Sequence, residues 1–474
     1  MAAIVTNKFR LNNAEQFYES FSEASTSFYL FVGRPQPWTV TTPFGGGTDS
    51  APPTPLDNVD DEYMYFRDMQ AAKRIASADI QYAIPRHNWT SGTIYDYYRG
   101  DYGAQWSSTA SDIVKTVNAG TNLWASTTLF YVLSSTNNVY KCMGNNGGAA
   151  STEEPAGTSN SEYTAGDSYV WKYMYTLTTT QITDFLTADF MPVLTNGTVS
   201  GAATDGAVTQ YKVMRGGAGY TSNTYSNQTL RGDGTGATFN VTVAGGVVTA
   251  VAGVLPGSGY TFGDCNVDNI SLIGTPSTSA IVTPIIGPKG GQGYNAVNEL
   301  GGFYIMTNTT ISGTEGGGDF VVDQDFRRVG IVLNPYNYGT STVATAATLN
   351  ALSSMTFDAS PTPGAFLADE AITAPTGAAG KVVAWDSTTR ILKYIQTQWT
   401  GVKTTAGATQ GNIIPFVAAD IVTSASNATG TIASGGITNP EIAYYSGNTI
   451  YAEDRAPISR ATDQTENIKL IVEF

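Results

Sequence analysis

The chain has 474 residues, too many for one hydrophobic core and suited to roughly two to four domains. Only 13% of residues are charged while 41% are apolar, which excludes disorder through excess charge. A net charge of −15, from 39 acidic and 24 basic side chains, repels phosphate backbones and anionic bilayers and excludes nucleic acid and membrane as general partners.

From the N-terminus, Met1 to Arg10 lacks the long apolar run of a secretory signal, and no later segment approaches the roughly 18 apolar residues of a membrane helix. The expectation is a protein made and held in a cytoplasm. Asn12 and Asn13 offer an Asx cap to a short amphipathic helix through Phe17 and Phe21. Asp60, Asp61 and Glu62 open a second helix that carries Tyr63, Met64, Phe66, Met69 and Ile75, with Lys73 and Arg74 placed to suit its C-terminal dipole. A third helix is expected from Thr178 to Leu186. The remainder reads as short β runs punctuated by Gly, Asn, Pro and Ser. The fold class expected is mainly β: β-sandwich-like domains with a few short α-helices, with small Gly/Thr-rich β modules inserted.

Two internal repeats stand out. The first places Gly219-Tyr220, Gly259-Tyr260 and Gly293-Tyr294 at the ends of three Gly-rich turns. Between them lie β-like runs from Ala237 to Val243 and from Val247 to Val251. Glycines with positive φ suit such turns, with each Tyr ring covering a small sheet. Because the glycines lead into strands rather than helices, a dinucleotide fingerprint is a poor reading. The second repeat has a spacing of fifty: Phe366 matches Phe416, Glu370 Asp420, Ile372 Val422, Thr373 Thr423, Ala378 Ala428, Gly380 Gly430 and Val382 Ile432. Each copy reads as strand, turn, strand, and the pair suggests a small barrel or sandwich. The expected division is a discontinuous main domain (1–85, 289–350 and 436–474), a second β-rich domain (86–205), a Gly-x-Gly-Tyr module (206–288) and a two-copy module (351–435).

Chemistry is hard to build from these residues. His87 is the single histidine, beside Pro85 and Trp89, and reads as a packed or surface imidazole. Cys142 and Cys265 make neither a disulfide framework nor a zinc site, and read as small apolar positions. The run from Asp264 to Asn269 resembles the start of an EF-hand, but Asn269 and Thr275 stand where its Gly and bidentate Glu are needed. Acid clusters such as Glu153 with Glu154, or Asp369 with Glu370, are sequence neighbours rather than carboxyls set across a sugar cleft. No phosphate-cradling P-loop string occurs. No catalytic, cofactor or metal residue is therefore assigned, and no small-molecule substrate is expected.

Several blocks, in order, carry a family resemblance. They are Ala3 to Arg10, Tyr29 to Trp38 with the prolines at 52, 53 and 55, Ile84-Pro85-Arg86 with Trp89, Gly166 to Tyr173, and Phe326 to Pro335. The last runs from Gly447 to Ile458 and from Asp463 to Phe474. Together they resemble the gene-eight baseplate wedge family of T-even-like contractile-tailed phages, Ala3 to Arg10 being similar to that family's first strand. Departures are His87-Asn88 where a basic-acidic pair is expected, Ala456 where a second proline is usual, and the two repeat modules, which have no counterpart. The resemblance implies a β-rich two-domain protomer with one domain interrupting the other. It further implies a homodimer in each wedge, contacts with other wedge subunits, location in the tail baseplate after assembly in the host cytoplasm, and no catalytic or cofactor residues. The alternative is an exterior virion binding protein, fibre-like or receptor-contacting. Arg34, Trp38, Arg86, Trp89 and Arg455 are the interaction candidates, since Arg and Trp are enriched at interface hot spots. The competing reading makes them staples of loops within the protomer.

Overall fold

In the computed structural model the residues described are 5–38, 47–99, 104–109, 112–117, 123–311, 324–396, 414–459 and 464–474, with backbone alone for Asp60 and for the strands between 104 and 117. Residues 3 and 4 of the first resemblance block thus lie outside the description. The chain is mostly β and divides into two compact units, residues 1–16, 81–306 and 471–474 in one, and 17–80 and 307–470 in the other.

Of the three expected helices, the two nearest the N-terminus differ from expectation. α1 spans Asn7–Ser20, so Asn7 to Arg10 is helix and not a strand. The start is set by Thr6, whose hydroxyl accepts from Phe9 N at 3.3 Å, well before the Asx cap expected at Asn12–Asn13. α2 spans Val59–Arg67, capped by the Asn58 side chain on Asp61 N at 3.0 Å. It ends well short of Ile75 because Met69–Arg74 is a strand paired antiparallel with Phe28–Gly33. That pairing overrides local helix propensity, and Lys73 and Arg74 sit on a strand, away from any helix dipole. α3, Thr179–Phe185, has the expected start, a capping box between Thr178 and Gln181.

In the first unit, strands Tyr131–Leu133, Asn138–Asn145, Tyr169–Thr176 and Tyr163–Thr164 form one antiparallel sheet in that order. Its core is aromatic: Tyr140, Tyr169, Trp171 and Tyr175 are all fully buried. A second sheet includes Phe190–Pro192 paired with Ile80–Pro85, with Met191 opposite Ile84. Farther along, Thr235–Ala244 and Val247–Ser258 form a hairpin flanked by Asn223–Thr229, and Ala237, Phe239, Val241 and Val243 alternate inward as a half-buried strand requires. Of the three Gly-Tyr elements, Tyr220 and Tyr260 are buried in this module, but Tyr294 is 51% exposed. The third element departs because it leads into the short helix Ala296–Leu300, capped by Asn295, and not into a strand. The Tyr294 ring lies over Gly290 of its own turn, so it covers no sheet.

In the second unit, five antiparallel strands run in the order Thr348–Asn350, Met69–Arg74, Phe28–Gly33, Asp325–Leu333, Asn448–Ser459. Phe28–Gly33 is buried throughout, as a central strand packed on both faces must be. Gly330, opposite Phe31, admits no side chain, since a Cβ there would meet the Phe31 ring and the Tyr451 carbonyl at 2.4 Å.

Six further strands close a barrel: Ser353–Phe357, Ile391–Ile395, Ala379–Asp386, Ala371–Thr373, Ile421–Ser424, Thr429–Thr438. The fifty-residue repeat is its plan. Phe366 and Phe416, Ile372 and Val422, Ala378 and Ala428, and Val382 and Ile432 all point into one core. Hydrogen bonds repeat at the same offset. Ala374 N donates to Ala378 O and Ser424 N to Ala428 O, both at 2.9 Å, while Asp369 N donates to Val382 O and Ala419 N to Ile432 O, both at 3.0 Å. Where the copies meet, Thr373 pairs with Thr423.

The barrel's entry and exit lie side by side, Ser354 opposite Thr438. Excising residues 353–438 and bridging the ends with a short Gly/Ser linker is expected to leave a soluble protein with a cooperative melt. Leu352→Ser is included because Leu352 packs on Val383 and Ile395. Calorimetry and circular dichroism check it; an aggregated or non-cooperative product shows that the barrel is part of a larger core.

Candidate interaction sites around Trp38 and Arg86

In the second unit, strand Phe28–Gly33 gives way to Arg34, which takes a φ of +57° and donates its backbone N–H to Asp68 O at 2.8 Å. That is a left-handed conformation uncommon for a non-glycine residue, and the side chain helps hold it. Its guanidinium reaches Asp68 at 3.2 Å and the Pro37 carbonyl at 3.2 Å, and lies 4.8 Å from the Trp38 ring. The prolines on either side of Gln36 fix the chain's φ and deliver Trp38 to a buried position, 7% exposed.

Trp38 is fixed at both of its N–H groups. Its backbone N donates to Asp49 at 2.8 Å, and its indole N–H donates to the Arg455 carbonyl at 3.0 Å. That carbonyl is available because the ladder with Asp325–Leu333 is irregular there: Phe326 pairs with Ile458 and Arg328 with Asp454, leaving Arg455, Ala456 and Pro457 outside the register. Pro457 has no N–H to donate, and such a bulge re-aims the backbone.

Two buried arginines meet this loop from the neighbouring strand. Arg327 forks onto Asp49 at 2.9 and 3.0 Å, reaches Asp325 at 2.9 Å and donates to the Pro35 carbonyl. Arg328 forks onto Asp454 at 2.6 and 3.1 Å, with its guanidinium 4.4 Å from the Tyr65 ring and 5.4 Å from that of Trp38. The hydrogen bond from Arg327 holds the Asp49 carboxyl below its ordinary range. Burial pushes the Asp454 carboxyl up, against the opposing pull of Arg328. Forked Arg–carboxylate pairs of this kind fix geometry as well as charge.

Arg34, Trp38 and Arg455 are thus brought together. Arg455 contributes its backbone carbonyl, while its side chain, 35% exposed, pairs with Glu453 at 3.2 Å. Arg86 and Trp89 belong to the other unit. There Arg86 donates to Asn88 at 2.9 Å and to the Thr187 carbonyl at 2.8 Å. Trp89 donates its indole N–H to Ser151 at 3.2 Å and packs against the Trp171 core. Between them His87 accepts at its carbonyl from Leu133 N at 2.7 Å, with its ring 4.9 Å from that of Tyr131. Burial lowers the His87 pKa from 6.5, which favours the neutral imidazole.

Asp49, Asp68, Arg327, Arg328 and Asp454 are not singled out by the sequence. The available signal is a pair of adjacent arginines inside the apolar run from Phe326 to Leu333. A buried ion pair in the first unit escapes sequence reasoning in the same way. Lys141, fully buried, donates to Glu299 and Gln292, and Glu299 also accepts from Gly293 N at 2.8 Å. This ties the third Gly-Tyr turn to strand Asn138–Asn145. Cys142 and Cys265 are buried free thiols, both with pKa values pushed up by burial. Among the described residues no group of three or more His, Cys, Asp or Glu is placed to hold a metal.

Two outcomes are expected from these contacts. Trp38→Ala removes a buried ring and two guanidinium contacts and should lower stability by about 3–5 kcal/mol, read as a shift of the urea unfolding curve. His87 has a depressed folded pKa, so its contribution is complete above the unfolded value near 6.5 and is lost as pH falls through the folded value. With a single histidine in the chain, His87→Gln should flatten the loss of stability as pH falls from neutral through about 6.5 and below, compared by denaturant titration of both proteins.

Residues 3–200 match the family model described as Phage-Gp8, Bacteriophage T4, Gp8. Four of the resemblance blocks fall inside that stretch, and those at 326–335 and 447–474 lie beyond it. No curated protein matches the chain.

Proposed function

We propose, from the match of residues 3–200 to the gene-eight baseplate wedge family, that this chain is a structural subunit of the baseplate wedge of a contractile phage tail. It bridges neighbouring wedge proteins and holds them in register until attachment triggers rearrangement. It assembles in the host cytoplasm, acts in the virion, and pairs with a second copy of itself. The family match carries the reading. The buried aromatic sheets and the forked Arg–Asp pairs support it, since a bridging part has to keep its shape under load.

The five interaction candidates divide in this reading. Arg34 and Trp38, already engaged within the chain, act by fixing a loop. Arg455 and Arg86 keep polar surface toward a neighbour, and Trp89 backs the latter. No chemical step is assigned to the chain.

An amber mutant of this gene, grown with and without a complementing copy and viewed by negative staining, separates this function from that of an exterior adhesin. Loss of the protein is expected to stop baseplate and tail assembly. Complete particles that fail to adsorb would move the assignment to receptor binding.

A further inference from the structure

We propose that Lys141 and Gln292 become joined by an amide bond between their side chains, formed once within the folded chain with Glu299 as the proton carrier. The bond does not depend on the wedge role proposed above. Its three residues come from separate places: Lys141 from strand Asn138–Asn145, Gln292 from the third Gly-Tyr turn and Glu299 from the helix Ala296–Leu300. All are closed off from solvent, at 0%, 8% and 3% exposed. Lys141 Nζ donates at once to Gln292 Oε1 and to Glu299 Oε2. A nucleophile, the carbonyl it can attack and a carboxylate able to take its proton thus share one point.

The surroundings hold that arrangement. Gly291 and Gly293, on either side of Gln292, take φ values of 96° and 87°, a region that glycine enters most readily. The matching positions in the other two Gly-Tyr turns are Ala218 and Ser258, so only this turn carries a carboxamide. An ammonium has only donors, which fixes the amide with its oxygen toward Lys141. Gly287 closes in behind it, where a Cβ would stand 3.3 Å from Nε2 and 3.4 Å from Cδ, so the amide has little room to turn away. Glu299 accepts through Oε1 from Gly293 N at 2.8 Å and Asn295 N at 3.2 Å, which keeps Oε2 toward the amine. The buried Tyr98 ring covers Nζ at 5.0 Å. Lys172, the other buried lysine here, donates to the backbone carbonyl of Asn160 at 2.7 Å and meets no side-chain amide there.

The reaction needs no oxidant, cofactor or second substrate. Glu299 takes one proton from the Lys141 ammonium, and the freed lone pair attacks Gln292 Cδ while the carbonyl electrons move onto Oε1. Glu299 then gives its proton to Nε2 and takes another from the lysine nitrogen. The Cδ–Nε2 bond breaks, the carbonyl re-forms and ammonia leaves, picking up the proton on Glu299 to depart as ammonium. Glu299 ends as the carboxylate it was. An amine already hydrogen-bonded to the amide oxygen is close to an attack distance of about 3–3.5 Å, and the exclusion of water removes hydrolysis as a competitor. The bond ties together positions 151 residues apart. Like a disulfide it restrains the unfolded chain, a service that the free thiols of Cys142 and Cys265 do not provide.

Intact mass and peptide sequencing of the full chain test this. Wild type is expected to be lighter than its sequence by one ammonia, and a tryptic digest should give a branched peptide joining Lys141 to Gln292, uncut after Lys141. Glu299→Gln and Gln292→Leu should each keep the full mass of their sequence, with circular dichroism confirming the fold. A wild type of full mass, or one whose missing ammonia maps away from this pair, overturns the bond and leaves an ion pair only; that measurement stands whether or not the variants fold. A folded Glu299→Gln chain that is still branched overturns the part given to Glu299.

Discussion

Much of the second unit depends on the presence of two adjacent arginines in a strand that is otherwise apolar. Arg327 and Arg328 are 3% and 6% exposed, so each must find its anion inside the fold. Removing one partner of a buried pair typically costs about 3–5 kcal/mol, whereas an exposed pair is worth about 0–1. By that measure Arg328 with Asp454 and Arg327 with Asp49 far outweigh the more exposed contact of Arg10 with Glu473. The acids come from distant parts of the chain, so the arginines also decide where loop and strand lie. Asp49 is held by Arg327 and receives Trp38 N. Trp38 then uses the Arg455 carbonyl, beside Asp454, which Arg328 holds. Each bond presupposes the others.

Features with a local cause are legible in the sequence. The Thr178–Gln181 capping box marks α3 within four residues, and the fifty-residue repeat carries its own long-range information by matching Phe366 to Phe416 and Val382 to Ile432. Features decided by remote partners are not. Nothing between Val59 and Ile75 says that the helix must stop at Arg67; that end is imposed by Phe28–Gly33, which needs a neighbour. At the N-terminus, Thr6 competes with Asn12 as a cap, and a β-like reading of Ala3 to Arg10 gives no weight to that hydroxyl. Tyr294 shares a motif with Tyr220 and Tyr260 but has no sheet to cover, because its turn runs into the helix Ala296–Leu300.

The candidate site is half legible. Arg34, Trp38 and Arg455 stand out as rigid, planar groups, and they do converge. Their residue types do not disclose that the indole N–H ends on a carbonyl set free by a bulge, or that the charge at the centre belongs to Arg327 and Arg328. A guanidinium beside a proline reads the same whether it faces a neighbour or its own chain. Burial decides, and burial is a property of the fold.

The two halves of the barrel solve the same problems with different residues. At the turn after the first strand of each copy, Gly377 and Asn427 take φ values of 92° and 68°, each bonding back three residues to Ala374 and Ser424 at 2.9 Å. Asp369 and Ala419 likewise share φ values of 66° and 67°. Glycine and asparagine are the side chains that tolerate that region most readily, and both have been tried here in one molecule. The chain therefore carries a two-row alignment of itself. Whatever one half holds at a given position fits the matching backbone of the other half fifty residues away, so substitutions that swap the halves' residues draw on side chains already suited to that geometry.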